Sequence, residues 1–235
     1  MRHILAILGA FILSAGAVAA QNAQDNAAEQ KFTVNGGTIS YDSYIEINGV
    51  ESEIEVDDVD VLLALLQDNR HITKLSLSSG GGSIWAGEEM ARIVIDFDLD
   101  TEVNGECSSS CVIVFLAGNR REMLRGGKIG FHARSWSSDS VENYYNNNRD
   151  SEGWDTAFDM GSWIYRDTQD EVYRELTFMI ERGVSAEFAI LTKRQRGAMW
   201  YPRRRELEQA GVLTPGARED KSVWPSALCQ ILQNC

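Results

Sequence analysis

The chain has 235 residues, 43% of them apolar and 24% charged. That balance excludes a disordered or fibrous chain and suits one domain of ordinary size with a real core. A formal charge of −13 argues against nucleic acid and anionic membrane surfaces as partners.

Residues 1–20, MRHILAILGAFILSAGAVAA, have a basic start, an apolar run and small residues at the end. They read as a secretory signal cut after Ala19 or Ala20, and cleavage removes one positive charge, Arg2, leaving −14. A retained membrane anchor is the alternative, since the run approaches spanning length. The expectation is an exported protein, free in a bacterial periplasm with no stable membrane insertion after cleavage. The four cysteines, Cys107, Cys111, Cys229 and Cys235, suit an oxidising compartment. Three pairings are possible; proximity in sequence favours Cys107–Cys111 and Cys229–Cys235. No metal site is expected, because Cys-x3-Cys has no nearby histidine. A cysteine nucleophile is disfavoured because oxidation would silence it.

Residues 21–30 are polar, without aromatic or β-branched side chains, and predict a flexible leader. Residues 31–56 alternate apolar and polar, with turns at Gly36-Gly37 and Asn48-Gly49, and predict two or three strands, one over 44–47. DDVDVLLALLQ (57–67) opens with acids and continues with helical spacing. A strand over 72–77, the triglycine Gly80-Gly81-Gly82 and a helix over 84–96 follow. Next come a strand over 101–104 that turns sharply at Gly105, a serine turn, a helix to Ala117, and a strand over 128–132. Strand and helix alternating with short connections predict a parallel sheet with crossover helices. Residues 135–153, with three consecutive asparagines, read as an exposed loop. Helices are predicted over 156–182, 185–194 and 203–210, then a tail over 215–235 ending in a short helix that carries Cys229. There is no internal repeat and no second domain.

The chemistry gathers around residues 101–118, TEVNGECSSSCVIVFLAG. A strand turning into a buried helix at a serine places that hydroxyl at a helix N-terminus, where orphan N–H groups and the dipole favour developing negative charge. A plain serine cap is the simpler reading of this turn alone. Ligands bind outside the carboxyl ends of parallel strands. The triglycine, the serine turn and His132 all fall at that edge, whereas His71 precedes its strand and falls at the other. Topology therefore selects His132 as the histidine that can reach the serines. The triglycine is either a tight turn or a set of N–H donors open to a bound carbonyl oxygen. No lysine follows it and no G-x-G-x-x-G is present, so it lacks the spacing of either common nucleotide loop.

In order and spacing, LSLSSGGGSIWAGEEMARIV, TEVNGECSSSCVIVFLAGNRR and KIGFH resemble the Clp protease proteolytic subunit and its superfamily with the crotonases. The chain looks closest to exported Clp-protease-like bacterial proteins with a Cys-x-Ser-x-Cys elbow, and the resemblance spans residues 44–211. It implies an α/β domain of repeated ββα units over 31–214, Ser109 as nucleophile and His132 as base. It also implies the N–H groups of Gly81 and Ser110 as oxyanion donors. Residues 200–214 resemble the closing segment, a helix ending at a glycine before a short apolar strand. The family proline before the paired glycines is Gly80 here. The family aspartate has no counterpart, and Lys193, Arg194 and Gln195 occupy its neighbourhood. Asp159, Asp167, Asp170 and Glu187 are candidate substitutes; otherwise the site is a Ser–His dyad, or inactive. Trp200 and Tyr201 are expected in the core. The implied function is a serine peptidase without cofactor, acting on peptide or protein substrates and possible as a homo-oligomer. The alternative is a non-catalytic module that binds an extended peptide or partner. A crotonase reaction on an acyl-coenzyme A ranks third, because such thioesters are not expected outside the cytoplasm.

Overall fold

In the computed structural model, residues 27–47 and 49–214 are described. The signal segment, most of the leader, Asn48 and the tail with Cys229 and Cys235 lie outside the described residues. The last part of the leader differs from expectation: 27–29 form a helical turn and Ala28 is buried.

A six-stranded sheet runs in the order β1 (Phe32–Asn35), β2 (Thr38–Asp42), β5 (Lys74–Ser79), β6 (Asp100–Ser108), β7 (Arg121–Met123), with β8 (Lys128–Gly130) also paired to β6. β1 pairs antiparallel with β2. β5, β6, β7 and β8 all join in parallel. A separate hairpin, β3 (Glu46–Ile47) and β4 (Val50–Glu51), replaces the longer strand expected over 44–47. The α/β class with a largely parallel sheet is therefore as the alternation predicts.

Helices α1 (Asp57–Asp68) and α2 (Ile84–Asp96) cross between the parallel strands. Their apolar stripes, Leu62 and Leu66 on α1 and Met90 and Val94 on α2, join Ile39, Tyr41, Leu75, Leu77 and Val103 of the sheet in one buried cluster. Alternate residues of β2 are buried, whereas β5 buries both faces, as a central strand must. Under this sheet Lys31 is 2% exposed and donates from Nζ to Asp58 and Glu55 carboxylates and to Glu53 O. Tyr41 OH also donates to Asp58, so the buried charge is paired and bonded.

Helices α3 (Ser110–Leu116), α5 (Ala157–Glu181), α6 (Ala186–Lys193) and α7 (Arg204–Gln209) agree closely with expectation. The segment over 135–153 does not: Ser138–Glu152 is a helix, α4. Ser137 Oγ accepts from Ser140 N at 3.0 Å, Asp139 lies in the first turn, and Gly153 closes the last turn in the left-handed conformation, φ 69°. Beside it Trp136, Tyr144, Trp154 and Trp163 pack ring to ring at 5.1–6.0 Å. Caps and aromatic packing outweigh the weak propensity of the asparagines. Among the described residues no helix is long and apolar enough to cross a membrane.

Candidate active site

The site is built by β6, which runs four residues beyond the predicted end. Gly105 does not stop the strand; it lies in a bulge. Val103 pairs with Leu77 and Cys107 with Ser79, so residues 104–106 of β6 stand against Ser78 alone. The first part of β6 pairs with β7 on its other side and the last part, Glu106–Ser108, pairs with β8. That arrangement carries β6 to Ser108, leaves Ser109 at the elbow and starts α3 at Ser110.

Ser109 has φ 56° and ψ −128°. A non-glycine residue there is strained, a cost of about 1–3 kcal/mol that the surroundings must hold in place. Ser109 N–H donates to Gly130 O at 3.2 Å, and its own carbonyl accepts from Val112 N at 3.0 Å. The Cys107–Cys111 disulfide spans the elbow, with Cα atoms 5.4 Å apart and both residues fully buried.

His132 follows β8 and hydrogen-bonds Ser109 through Nε2, 2.8 Å from Oγ. Both side chains are half-buried. Main-chain bonds hold the histidine on either side. Phe131 and Trp200 exchange N–H to carbonyl bonds at 2.8 Å, and Ala133 N donates to Gln195 O at 2.7 Å. Trp200 packs against Phe131 and Phe188, as expected of a core side chain. The topological argument thus selects a histidine that the fold brings to the serine.

The other ring nitrogen, Nδ1, lies 3.2 Å from Ala133 O, so the hydrogen bonds of His132 run to a hydroxyl and a main-chain carbonyl. The candidate acids are elsewhere. Asp159 closes a capping box with Thr156 at the start of α5, and Glu187 is exposed in the first turn of α6. Asp167 and Asp170 lie along α5 without bonding the imidazole. Lys193, near the expected aspartate position, pairs with Glu175, which also faces Arg134; Arg134 in turn bonds Glu171. Lys193, Glu175 and Arg134 border a pocket beside Ser109 and His132 whose apolar walls include Val112, Ile113, Leu116, Phe178 and Met179.

Gly81 packs directly on the elbow. A Cβ there would sit 2.7 Å from Ser109 Cβ and 2.9 Å from Ser108 O, and its φ is +104°, so glycine is required on both counts. Its N–H, however, donates to Ser79 Oγ at 3.1 Å, which also accepts from Ser43 Oγ at 2.7 Å. The amide read from the resemblance as an oxyanion donor is therefore engaged by Ser79. The adjoining Gly82 carbonyl accepts from Ser110 Oγ at 3.2 Å. Ser110 N–H, at the first position of α3, belongs to the orphan amides of a helix start. Among the described residues no group of three or more His, Cys, Asp or Glu side chains is arranged to hold a metal.

One cluster escaped the sequence reading. Glu106 accepts from Ser108 Oγ at 2.8 Å and from Tyr201 OH at 2.5 Å, and Lys128 Nζ lies 2.6 Å from its other oxygen. Tyr201 is therefore a polar partner at the surface rather than a core ring, and its separation of 95 residues from Glu106 leaves no local signal. Partial burial alone would raise the Glu106 carboxyl, but the bonds from Lys128, Tyr201 and Ser108 together hold it down at about 2, against an ordinary 4.5. A carboxyl depressed on folding adds stability that is present above its unfolded value and lost as pH falls from 4.5 toward 2. Glu106→Gln should flatten the acid limb of the pH–stability profile. Urea unfolding midpoints measured at a series of acid pH values check this; an unchanged slope in the variant rules the linkage out.

No family model matches the chain, and no curated protein matches it in sequence. Among solved structures the fold is similar to a point mutant of ClpP1 from Listeria monocytogenes, at 15% identity and a TM-score of 0.47, covering 83% of this chain and 93% of that one.

Proposed function

We propose that the protein is an exported serine hydrolase of Clp-protease-like type, acting on peptide or protein substrates through a Ser–His dyad. The observation that carries this reading is the 2.8 Å bond between His132 Nε2 and the hydroxyl of Ser109, held at positive φ on the N-terminus of a buried helix. His132 Nε2 takes the Ser109 proton as Oγ attacks the substrate carbonyl, and later returns it to the leaving group. With Nδ1–H donated to Ala133 O, a main-chain carbonyl fixes the tautomer in place of a carboxylate. A carbonyl supplies orientation but less stabilisation of the imidazolium than an acid, so turnover should be slow beside a full triad. Ser110 N–H is one oxyanion donor. The second comes from the triglycine: either Gly81 N–H after leaving Ser79 Oγ, or the next amide, Gly82. The signal-like residues 1–20 and the disulfide at the elbow support export to an oxidising compartment, the periplasm.

The engaged Gly81 amide, and a His132 that bonds no carboxylate among the described residues, favour a second reading, a non-catalytic module that binds extended peptides in the same groove. The test is a fluorophosphonate probe on folded, oxidised protein, with the labelled residue mapped by mass spectrometry. Adduct on Ser109, absent from His132→Ala, supports the hydrolase. No adduct on Ser109 favours the binding module.

A further inference from the structure

The elbow residue Ser109 sits two positions from each half-cystine. Cys107 belongs to the sheet, paired with Ser79 on one side and Ile129 on the other, and Cys111 belongs to the first turn of α3. The bridge therefore ties the end of a central strand to the start of the helix it feeds, across one residue in a left-handed conformation. Glycine is the residue that takes φ 56° without penalty, and the position holds a serine. Two explanations of the bridge compete. A disulfide stabilises a whole fold chiefly by restricting the unfolded chain, and that effect grows with the length of the loop it closes. This one encloses only the residues from 107 to 111, a sequence separation of 4. Its global effect is accordingly near the low end, while its local effect, restricting the dihedrals on both sides of Ser109, is at its greatest. Both sulfurs are fully buried, so they also pack as apolar side chains and do not present a thiol to solvent.

We propose that the Cys107–Cys111 bridge is a positioning element for Ser109, holding its hydroxyl in line with His132 Nε2 rather than serving mainly to stabilise the fold. The inference deepens the hydrolase reading and rests on it for its catalytic meaning, but the positioning itself is measurable without activity. The bridge also makes the reactivity of Ser109 greater in an oxidising compartment than in a reducing one.

The test compares wild-type protein with the Cys107→Ala, Cys111→Ala double variant, using Ser109→Ala as reference for a lost Ser–His bond. Three readouts are needed: cooperativity of thermal unfolding, the labelling rate of Ser109, and the NMR signals of the His132 ring nitrogens. The double variant is expected to unfold cooperatively. Its labelling should fall about tenfold to a hundredfold, the size of the strain released at one such residue. Its His132 signals should move toward those of Ser109→Ala. Wild-type labelling and unmoved His132 signals would overturn the proposal. If wild-type protein is itself unlabelled, the hydrolase reading fails and the His132 signals alone decide: moved, the bridge positions Ser109; unmoved, it does not. Should the double variant not fold, Cys107→Val with Cys111→Ala refills the buried sulfur space and is read in the same way.

Discussion

Glycine in place of Ser109 is expected to abolish hydrolysis and probe labelling while leaving the thermal midpoint above that of the alanine variant. The reasoning compares two backbone terms. Serine at φ 56° carries a strain of about 1–3 kcal/mol, which glycine removes. Glycine also gives the unfolded chain more freedom, which costs about 0.4–1 kcal/mol of stability. The loss of the bond from Ser109 to the half-buried His132 removes roughly another 0.5–1.5 kcal/mol. Alanine separates these contributions, since it keeps Cβ and therefore the strain but lacks the hydroxyl. Ser109→Gly should be more stable than Ser109→Ala by about 1 kcal/mol, some 2–4 °C for a domain of this size. Both should lose turnover by a factor on the order of 10³ or more, because both lack the hydroxyl proposed as nucleophile. Calorimetry beside a peptide-hydrolysis assay reads both effects. If alanine is the more stable of the two, the elbow is not strained; if either variant turns over at the wild-type rate, Ser109 is not the nucleophile.

Arg121→Met should destabilise the fold by about 3–5 kcal/mol, the largest loss expected outside the site. Arg121 is 4% exposed, and burial pushes its guanidinium down to about 10. Its Nε donates to Val212 O at 2.9 Å, Nη1 to Leu116 O and Gly118 O at 3.3 Å, and Nη2 to Arg182 O at 2.8 Å and Gly211 O at 2.9 Å. Arg182 adds donors to Leu116 O, Ala117 O and Gly118 O. The final carbonyls of α3, where cations are favoured, thus meet two guanidinium groups, and those groups tie α3 to the closing segment 211–214. Replacing a buried charge by an apolar residue is often harmless when its partners leave with it. Here the partners are main-chain carbonyls that stay behind, several of them newly unsatisfied, so the loss should dominate the relief of desolvation. Lysine keeps the charge but has no planar fork and cannot reach all five, so Arg121→Lys should fall between wild type and Arg121→Met. Urea denaturation checks the order. A methionine variant as stable as wild type would mean that the carbonyls find water instead.

The closing segment shows why this role is invisible in the sequence. Arg121 sits just after a helix, where a cation is unremarkable, and its acceptors at 182, 211 and 212 are 61–91 residues away. Nor does the expected apolar strand after Gly211 form: Val212 and Leu213 are buried, and the contact with β7 is Thr214, whose N–H donates to Arg121 O and whose Oγ1 accepts from Arg121 N. The Glu106 cluster and the tie between Gly81 N–H and Ser79 Oγ are likewise products of tertiary packing.

What the sequence by itself determined is what rests on short-range rules. Helical spacing set Ile84–Asp96, and the strand–helix alternation set the parallel sheet. Because parallel strands all deliver their carboxyl ends to one edge, the order of elements alone brought Ser109 and His132 together. Tertiary structure decided the rest. It continued β6 through Gly105 by a bulge and gave His132 a carbonyl where an acid was sought; the helix over 138–152, by contrast, carries local caps at Ser137 and Gly153 that the sequence reading passed over. The physical reason for the first two is the same. Periodicity and caps act within about one turn of chain and are legible locally, whereas the partner that satisfies a buried donor is chosen by packing between distant segments.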